Sequence, residues 1–214
     1  MQQVLAIVSA DWHLNLWSKF NDSKERTLNQ FKVLSLLNKK ALDTGSRIIF
    51  TGDLFEKPDN LSNELLGMLG EWMNTHEIYA PLFGISGNHD ISQVSNVGIK
   101  PISWINSLSN LYPSWHSLDY TKYQVKRGNG ECFNFYGIPY IDHNRGIGDY
   151  IKSIVLDKSQ KNILVVHTDY PGATDTDGRE IGTGNTITPS MFRNLDLVLS
   201  GHIHKPQRLS KRFQ

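Results

Sequence analysis

Five short clusters in this sequence carry side chains able to bind divalent cations: Asp11-Trp-His13, Gly52-Asp53, Gly87-Asn-His-Asp90, a lone His167 and Gly201-His-Ile-His204. Carboxylate, imidazole and amide oxygen together suit borderline ions such as Mn, Fe or Zn. Five of the eight histidines fall inside these clusters, far more than scatter would place there. Taken singly, Asp-x-His or Gly-Asp is common by chance. The weight lies in their joint order and in what precedes each of them.

Each cluster follows a short apolar run: Val4–Val8, Arg47–Phe50, Pro81–Ile85, Asn162–Val166 and Leu195–Leu199. Such runs, bounded by Gly, Asp or Asn, suit strands covered on both faces. Between the first two, Leu28, Phe31, Leu34, Leu37, Ala41 and Leu42 recur at roughly helical spacing over Lys24–Asp43, with Gly45 as a stop. A second helix is expected from about Leu61 to Thr75, capped by Asp59 or Asn60. Strand and helix in alternation predict an α/β sheet with parallel strands. Alternation around Gly128-Asn-Gly130 within Tyr120–Ile141 predicts an antiparallel hairpin, and a further helix is expected from about Gly148 to Leu156. Pro171–Asn185, rich in Gly, Thr and Asp, reads as a long loop. All five clusters therefore sit at carboxyl ends of strands, where the crevices of open α/β sheets bind ligands. Without repeat, linker or low-complexity tract, residues 1–214 read as one domain.

At these residues the chain resembles the calcineurin-like metallophosphoesterases, whose D-x-H, G-D, G-N-H-[DE], lone H and G-H-x-H motifs all occur here in order. The resemblance implies an α/β fold, an αββα sandwich of two central mixed sheets flanked by helices. It implies that Asp11, His13 and His204 hold one metal and Asn88, His167 and His202 another. Asp53 would bridge the two, and His89 would be no ligand but a general acid over the substrate. Two such metals lower the pKa of a shared water from about 15.7 toward 7, so a bridging hydroxide is the expected nucleophile. Thr51-Gly-Asp-Leu-Phe-Glu-Lys-Pro58 and Gly201-His-Ile-His-Lys-Pro-Gln207 look most like the Mre11/SbcD nucleases, and phage recombination nucleases are also similar. That likeness implies manganese as the favoured metal (with Fe, Zn or Mg as substitutes), DNA as substrate, a homodimer, and a Rad50/SbcC-type ATPase as partner of the full-length protein. Cleavage would be 3′-to-5′ exonucleolytic on duplex ends and endonucleolytic on single strands. A phosphatase or cyclic-nucleotide phosphodiesterase with the same metals is the alternative. Glu56 departs from the pattern, since several of those nucleases carry there a histidine that orients the equivalent of His89. Such nucleases continue past the last motif with a capping domain and an ATPase-binding tail, where here only Lys205–Gln214 follow, so a nuclease core of a longer protein is expected.

Composition sets bounds on the rest. Charge is +1, from 22 basic and 21 acidic residues, so the average gives no support for nucleic-acid binding. One cysteine, Cys132, excludes an intrachain disulfide or a thiolate cluster and reads as a small core residue. No secretion signal opens the chain and no apolar run approaches the ~18 residues of a membrane span, so a cytoplasmic protein (or one of the host cytoplasm, if phage-encoded) is expected. His76, His116 and His143 read as ordinary histidines, Trp12 as packing, and Asp175-Thr-Asp177-Gly178 and Arg179 as solvated loop. Leu65, Leu66, Met68, Leu69 and Trp72, with Ile102, Trp104 and Ile105, exceed one buried stripe, which favours an interface there.

Overall fold

The computed structural model describes residues 4–17, 24–57, 59, 61–75, 79–91, 103–141, 146–181 and 187–212. Two four-stranded sheets lie back to back. The first consists of β1 (Ala6–Ser9), β2 (Arg47–Phe50), β3 (Leu82–Gly84) and β4 (Trp115–Ser117), in that order and parallel throughout. The second has β5 (Lys122–Lys126), β6 (Cys132–Ile138), β7 (Lys161–His167) and β10 (Leu197–Gly201) in the order β10-β7-β6-β5, parallel except for the β5–β6 hairpin. The helices are α1 (Glu25–Thr44), α2 (Asn63–Thr75), α3 (Trp104–Leu111) and α4 (Ile147–Ser153).

Period-2 alternation along the strands sorts side chains into three apolar layers. Ile48 and Phe50 of β2 pack with Phe31, Leu34, Leu65, Leu69 and Ile105 of α1, α2 and α3 on the outer face of the first sheet. Ile49, between them, joins Phe83, Phe135, Ile163, Val165 and Leu199 in the layer between the sheets. Leu164 and Val166 turn the other way, toward Ile147 of α4 and Phe192 of a 3-10 turn at Pro189–Phe192. The result is the expected helix–sheet–sheet–helix sandwich, except that the first sheet is parallel rather than mixed among the described residues. None of the described helices is long and apolar enough to cross a membrane.

Several local expectations change. The second helix begins later than predicted, at Asn63, and Ser62 rather than Asp59 accepts the hydrogen bond of a first-turn amide, from Leu65 N–H; Asn60 lies outside the described residues. Pro171–Asn185 is not structureless, because β8 (Ala173–Thr174) and β9 (Glu180–Ile181) pair as a small antiparallel ribbon. Cys132 opens β6 half-buried rather than in the core. The helix α3 and strand β4 have no counterpart among the expected elements. Ser103 caps α3 by accepting from Asn106 N–H at 3.1 Å. On α2, Leu65, Leu69 and Met73 are buried, while Met68 and Trp72 pack partly buried against the same layer. Much of its apolar surface is therefore used within the chain. Trp12 packs tilted against Phe50 with centroids 4.5 Å apart, and His116 lies exposed on the ring of Phe83. His76, His143 and Ile102 lie outside the described residues.

Candidate metal centre

The β1–β2 pairing does not stop where the strands end. Main-chain N–H groups of Asp11, His13 and Leu14 donate to the carbonyls of Gly52, Asp53 and Leu54 at 2.9, 3.1 and 2.8 Å. That continuation carries the Asp11-x-His13 loop alongside Asp53. Register does the same on the second sheet, where Gly201 pairs with His167 and so delivers His202 next to it. Four of the six non-glycine residues with positive φ among the described residues are candidate ligands: Asp11 (52°), His13 (43°), Asp53 (63°) and His202 (88°). Left-handed backbone at a residue with a Cβ costs on the order of 1–3 kcal/mol and collects at functional sites. Here it turns side chains out of the strand direction into one crevice between the two sheets.

Three groups of donor atoms result among the described residues: one of His13, Glu56 and His89, and two that meet at Asp53. Donors of Asp11, His13, Asp53 and His204 lie within 4.8 Å of one another, as do those of Asp53, His167 and His202. Asp53, 1% exposed, belongs to both. On one side His13 Nε2 is 2.9 Å from His204 Nε2 and 3.6 Å from Asp53 Oδ2. On the other, Asn88 Oδ1 is 3.0 Å from both His167 Nε2 and His202 Nδ1, and His167 Nε2 is 3.3 Å from Asp53 Oδ2. All seven sequence-selected candidates are thus brought together. His89 stands beside them, its main-chain N–H donating to Asp53 Oδ1 and its Nδ1 held 2.6 Å from the carbonyl of Glu56.

Hydrogen-bond accounting tests whether this set suits a cation. The Thr51 carbonyl, 2.7 Å from His167 Nδ1, can only accept, so Nδ1 carries the proton. His167 Nε2 then confronts the oxygens Asn88 Oδ1 and Asp53 Oδ2, with His202 Nδ1 3.2 Å away. Such a convergence calls for a positive centre. Complete burial of His167 works against a charge on the ring, yet its hydrogen bond with Asp53 and the charges of Asp53 and Asp11 prevail and raise its pKa. Burial likewise opposes ionisation of Asp53, but the His167 contact holds its carboxyl down at about 2. His13 moves the other way: burial lowers its pKa, with the charge of His204 adding to the effect against Asp53 and Glu56. A divalent ion satisfies the same lone pairs without a proton. The donors stand 2.9–3.8 Å from one another, a spacing from which nitrogen and oxygen ligands could converge on a divalent ion. The donor set fits.

Close packing of backbone holds it in place. A Cβ on Gly87 would collide with the Asp53 carboxylate, and one on Gly52 (φ 101°) with the His167 ring. Asp90, fully buried, accepts N–H bonds from Asp53, Leu54 and Gly87, each at 2.8 Å, and so ties both loops together. Burial pushes the Asp90 carboxyl up to about 7, the charge of Asp53 adding to this against the N–H donors of Gly87 and Leu54. A cleft of about 660 Å³ opens beside Asp11 and His204, lined by Ser9, Leu199, Ile203 and Lys205 among others. A larger cavity of about 830 Å³, around Lys161 and Asp196 at the opposite end of the second sheet, holds none of the candidate residues.

A family model described as calcineurin-like phosphoesterase matches residues 6–206, which includes every residue of this centre. The chain belongs to the calcineurin-like phosphoesterase family. This phosphoesterase is therefore a metal-dependent hydrolase, in keeping with the donor set. It is 26% identical over 230 aligned residues to the SbcD subunit of the nuclease SbcCD from Staphylococcus saprophyticus, a match that takes in 97% of this chain and 58% of that protein. The phosphoesterase thus spans a little over half the length of that curated relative.

Two carboxylates beside the centre escaped the sequence reading of roles. Glu56 Oε2 lies 2.9 Å from His13 Nδ1, and Asp169 Oδ1 lies 3.3 Å from His202 Nε2. The likeness of the second motif to that of the nucleases singled out the position of Glu56 but not its target. Asp169 had no signal beyond lying two residues after His167.

Proposed function

We propose that this phosphoesterase is a nuclease that hydrolyses phosphodiester bonds of DNA, with Asp11, His13 and His204 holding one divalent metal, Asn88, His167 and His202 the other, and Asp53 shared. The observation that carries the DNA assignment is the likeness to the SbcD nuclease over 97% of the chain. Divalent metals at this centre supply Lewis acidity and an activated water. The chain's own contribution is to orient and to move a proton. His89 is anchored through Nδ1 to the Glu56 carbonyl, which leaves Nε2 as the nitrogen for the leaving oxygen. A histidine so placed acts as general acid without itself being a ligand. Manganese as the working metal, 3′-to-5′ exonuclease and single-strand endonuclease activity in break repair or recombination, a homodimer, and an SbcC-type ATPase partner complete the proposal.

A second activity, on small phosphate esters or cyclic nucleotides, is favoured by one fact: basic and acidic residues nearly balance, 22 to 21, so the chain has an overall charge of only +1 to attract a polyanion. End-labelled linear DNA and bis-p-nitrophenyl phosphate, each with manganese, separate the two. The nuclease assignment predicts progressive loss of the DNA, abolished by chelator. Turnover of the ester with the DNA left intact would overturn it.

A further inference from the structure

His13 and His202 share a feature that their role as ligands does not require. Each ring turns one nitrogen to the cluster and the other to a carboxylate outside it. In His13, Nε2 faces His204 and Asp53, while Nδ1 lies 2.9 Å from Glu56 Oε2. In His202 the sense is reversed: Nδ1 faces Asn88 and His167, and Nε2 lies 3.3 Å from Asp169 Oδ1. His13 Nδ1 is buried with no hydrogen bond, and Glu56 Oε2 stands beside it at ion-pair distance.

A neutral imidazole has one N–H and one lone pair, and only the lone pair can bind a cation. A carboxylate that takes the N–H of one nitrogen leaves the other bare and fixes the ring's plane. We propose that Glu56 and Asp169 are positioning residues, one for each half of the centre, which make Nε2 of His13 and Nδ1 of His202 the nitrogens presented to metal. The assignment rests on the proposed metal centre. Glu56 serves two rings by two different groups, since its carbonyl also accepts from His89 Nδ1. Its side chain therefore acts on His13 and not on His89, in contrast to the role that the resemblance gives this position. Removing the carboxylate leaves the carbonyl, so the two effects are separable.

The test uses the full chain and its Glu56→Ala, Glu56→Gln and Asp169→Ala variants, with two readouts. Ring ¹⁵N shifts of the metal-free protein should show N–H at Nδ1 and a bare Nε2 in His13, and the reverse in His202. Glu56→Ala should mix the tautomers of His13 alone and leave His89 and His202 unchanged, and Asp169→Ala should mix those of His202 alone. Manganese titration should show two ions on the wild type. Each Ala variant should lose about 10- to 100-fold in affinity at one of them, and Glu56→Gln, whose amide oxygen still accepts, should recover most of the loss. Variants with unchanged tautomers and unchanged affinities overturn the proposal, and should Glu56→Ala not fold, Glu56→Gln and Asp169→Ala still decide it. A wild type with these tautomers but no bound manganese would support the positioning and overturn the metal assignment instead.

Discussion

A single methyl group added at residue 87 should damage the centre, whereas the same change at residue 67 should strengthen the protein. An ideal Cβ on Gly87 would overlap the Asp53 carboxylate and lie 2.5 Å from the Asp53 main-chain nitrogen and 2.8 Å from its Cγ. No flexible side-chain tip is available to give way, because Asp53 is 1% exposed and its Oδ1 already accepts the His89 N–H at 2.9 Å. Overpacking of this kind costs about 1–3 kcal/mol, and loss of a hydrogen bond to a charged group about 1.5–3 kcal/mol more. Gly87→Ala should therefore destabilise by about 3–5 kcal/mol and weaken manganese binding at both ions, since Asp53 is common to both groups. Gly67 is exposed within α2, with nothing within 4 Å of the point where a Cβ would stand, so Gly67→Ala should stabilise by about 0.5–1 kcal/mol. Urea denaturation of chelator-treated protein and manganese titration measure both effects. A Gly87→Ala variant with wild-type stability and wild-type metal affinity would refute the claim that this close approach positions Asp53.

Further predictions concern the charges around the same residue. The Asp53 carboxyl is held at about 2, below its ordinary 3.8, so it contributes stability that is present above pH 3.8 and lost as pH falls through about 2. Metal-free wild type should lose about 2 kcal/mol more than Asp53→Asn across that window, as read by denaturation at pH 5, 3 and 2; parallel losses would contradict it. His89→Ser should leave manganese affinity unchanged and lower turnover by about 100- to 10,000-fold, and an equal loss of metal would make His89 a ligand. Asp90→Ala strands three buried N–H donors, at about 1–3 kcal/mol each before water enters the gap. Unfolding measurements should show a loss of about 3–5 kcal/mol; a loss under 1 kcal/mol would mean that the two loops hold without it.

What was legible in the sequence depends on where information is local. Strand runs such as Asn162–Val166 carry their own period, and a ligand cluster directly after each run needs no long-range contact to be noticed. Hence the parallel α/β sheet and the five clusters could be read from the chain itself, and the sandwich and the seven ligands from the resemblance those clusters carry. The small pieces could not: β8 and β9 have two residues each, too short for alternation to register, and β4, as short as β3, has no ligand cluster after it to mark it. The carboxylates of Glu56 and Asp169 were beyond reach for another reason. Each acts on a histidine 43 or 33 positions away, and only the folded crevice makes them neighbours. Left-handed backbone at Asp11, His13, Asp53 and His202 is equally silent, because none of these residues is a glycine.

The central claim is that two metals share Asp53, and anomalous diffraction from crystals soaked in manganese tests it most directly. Two peaks flanking the Asp53 carboxylate are predicted, one among Asp11, His13 and His204 and the other among Asn88, His167 and His202. A single peak away from Asp53, or one seated instead among His13, Glu56 and His89, would contradict it.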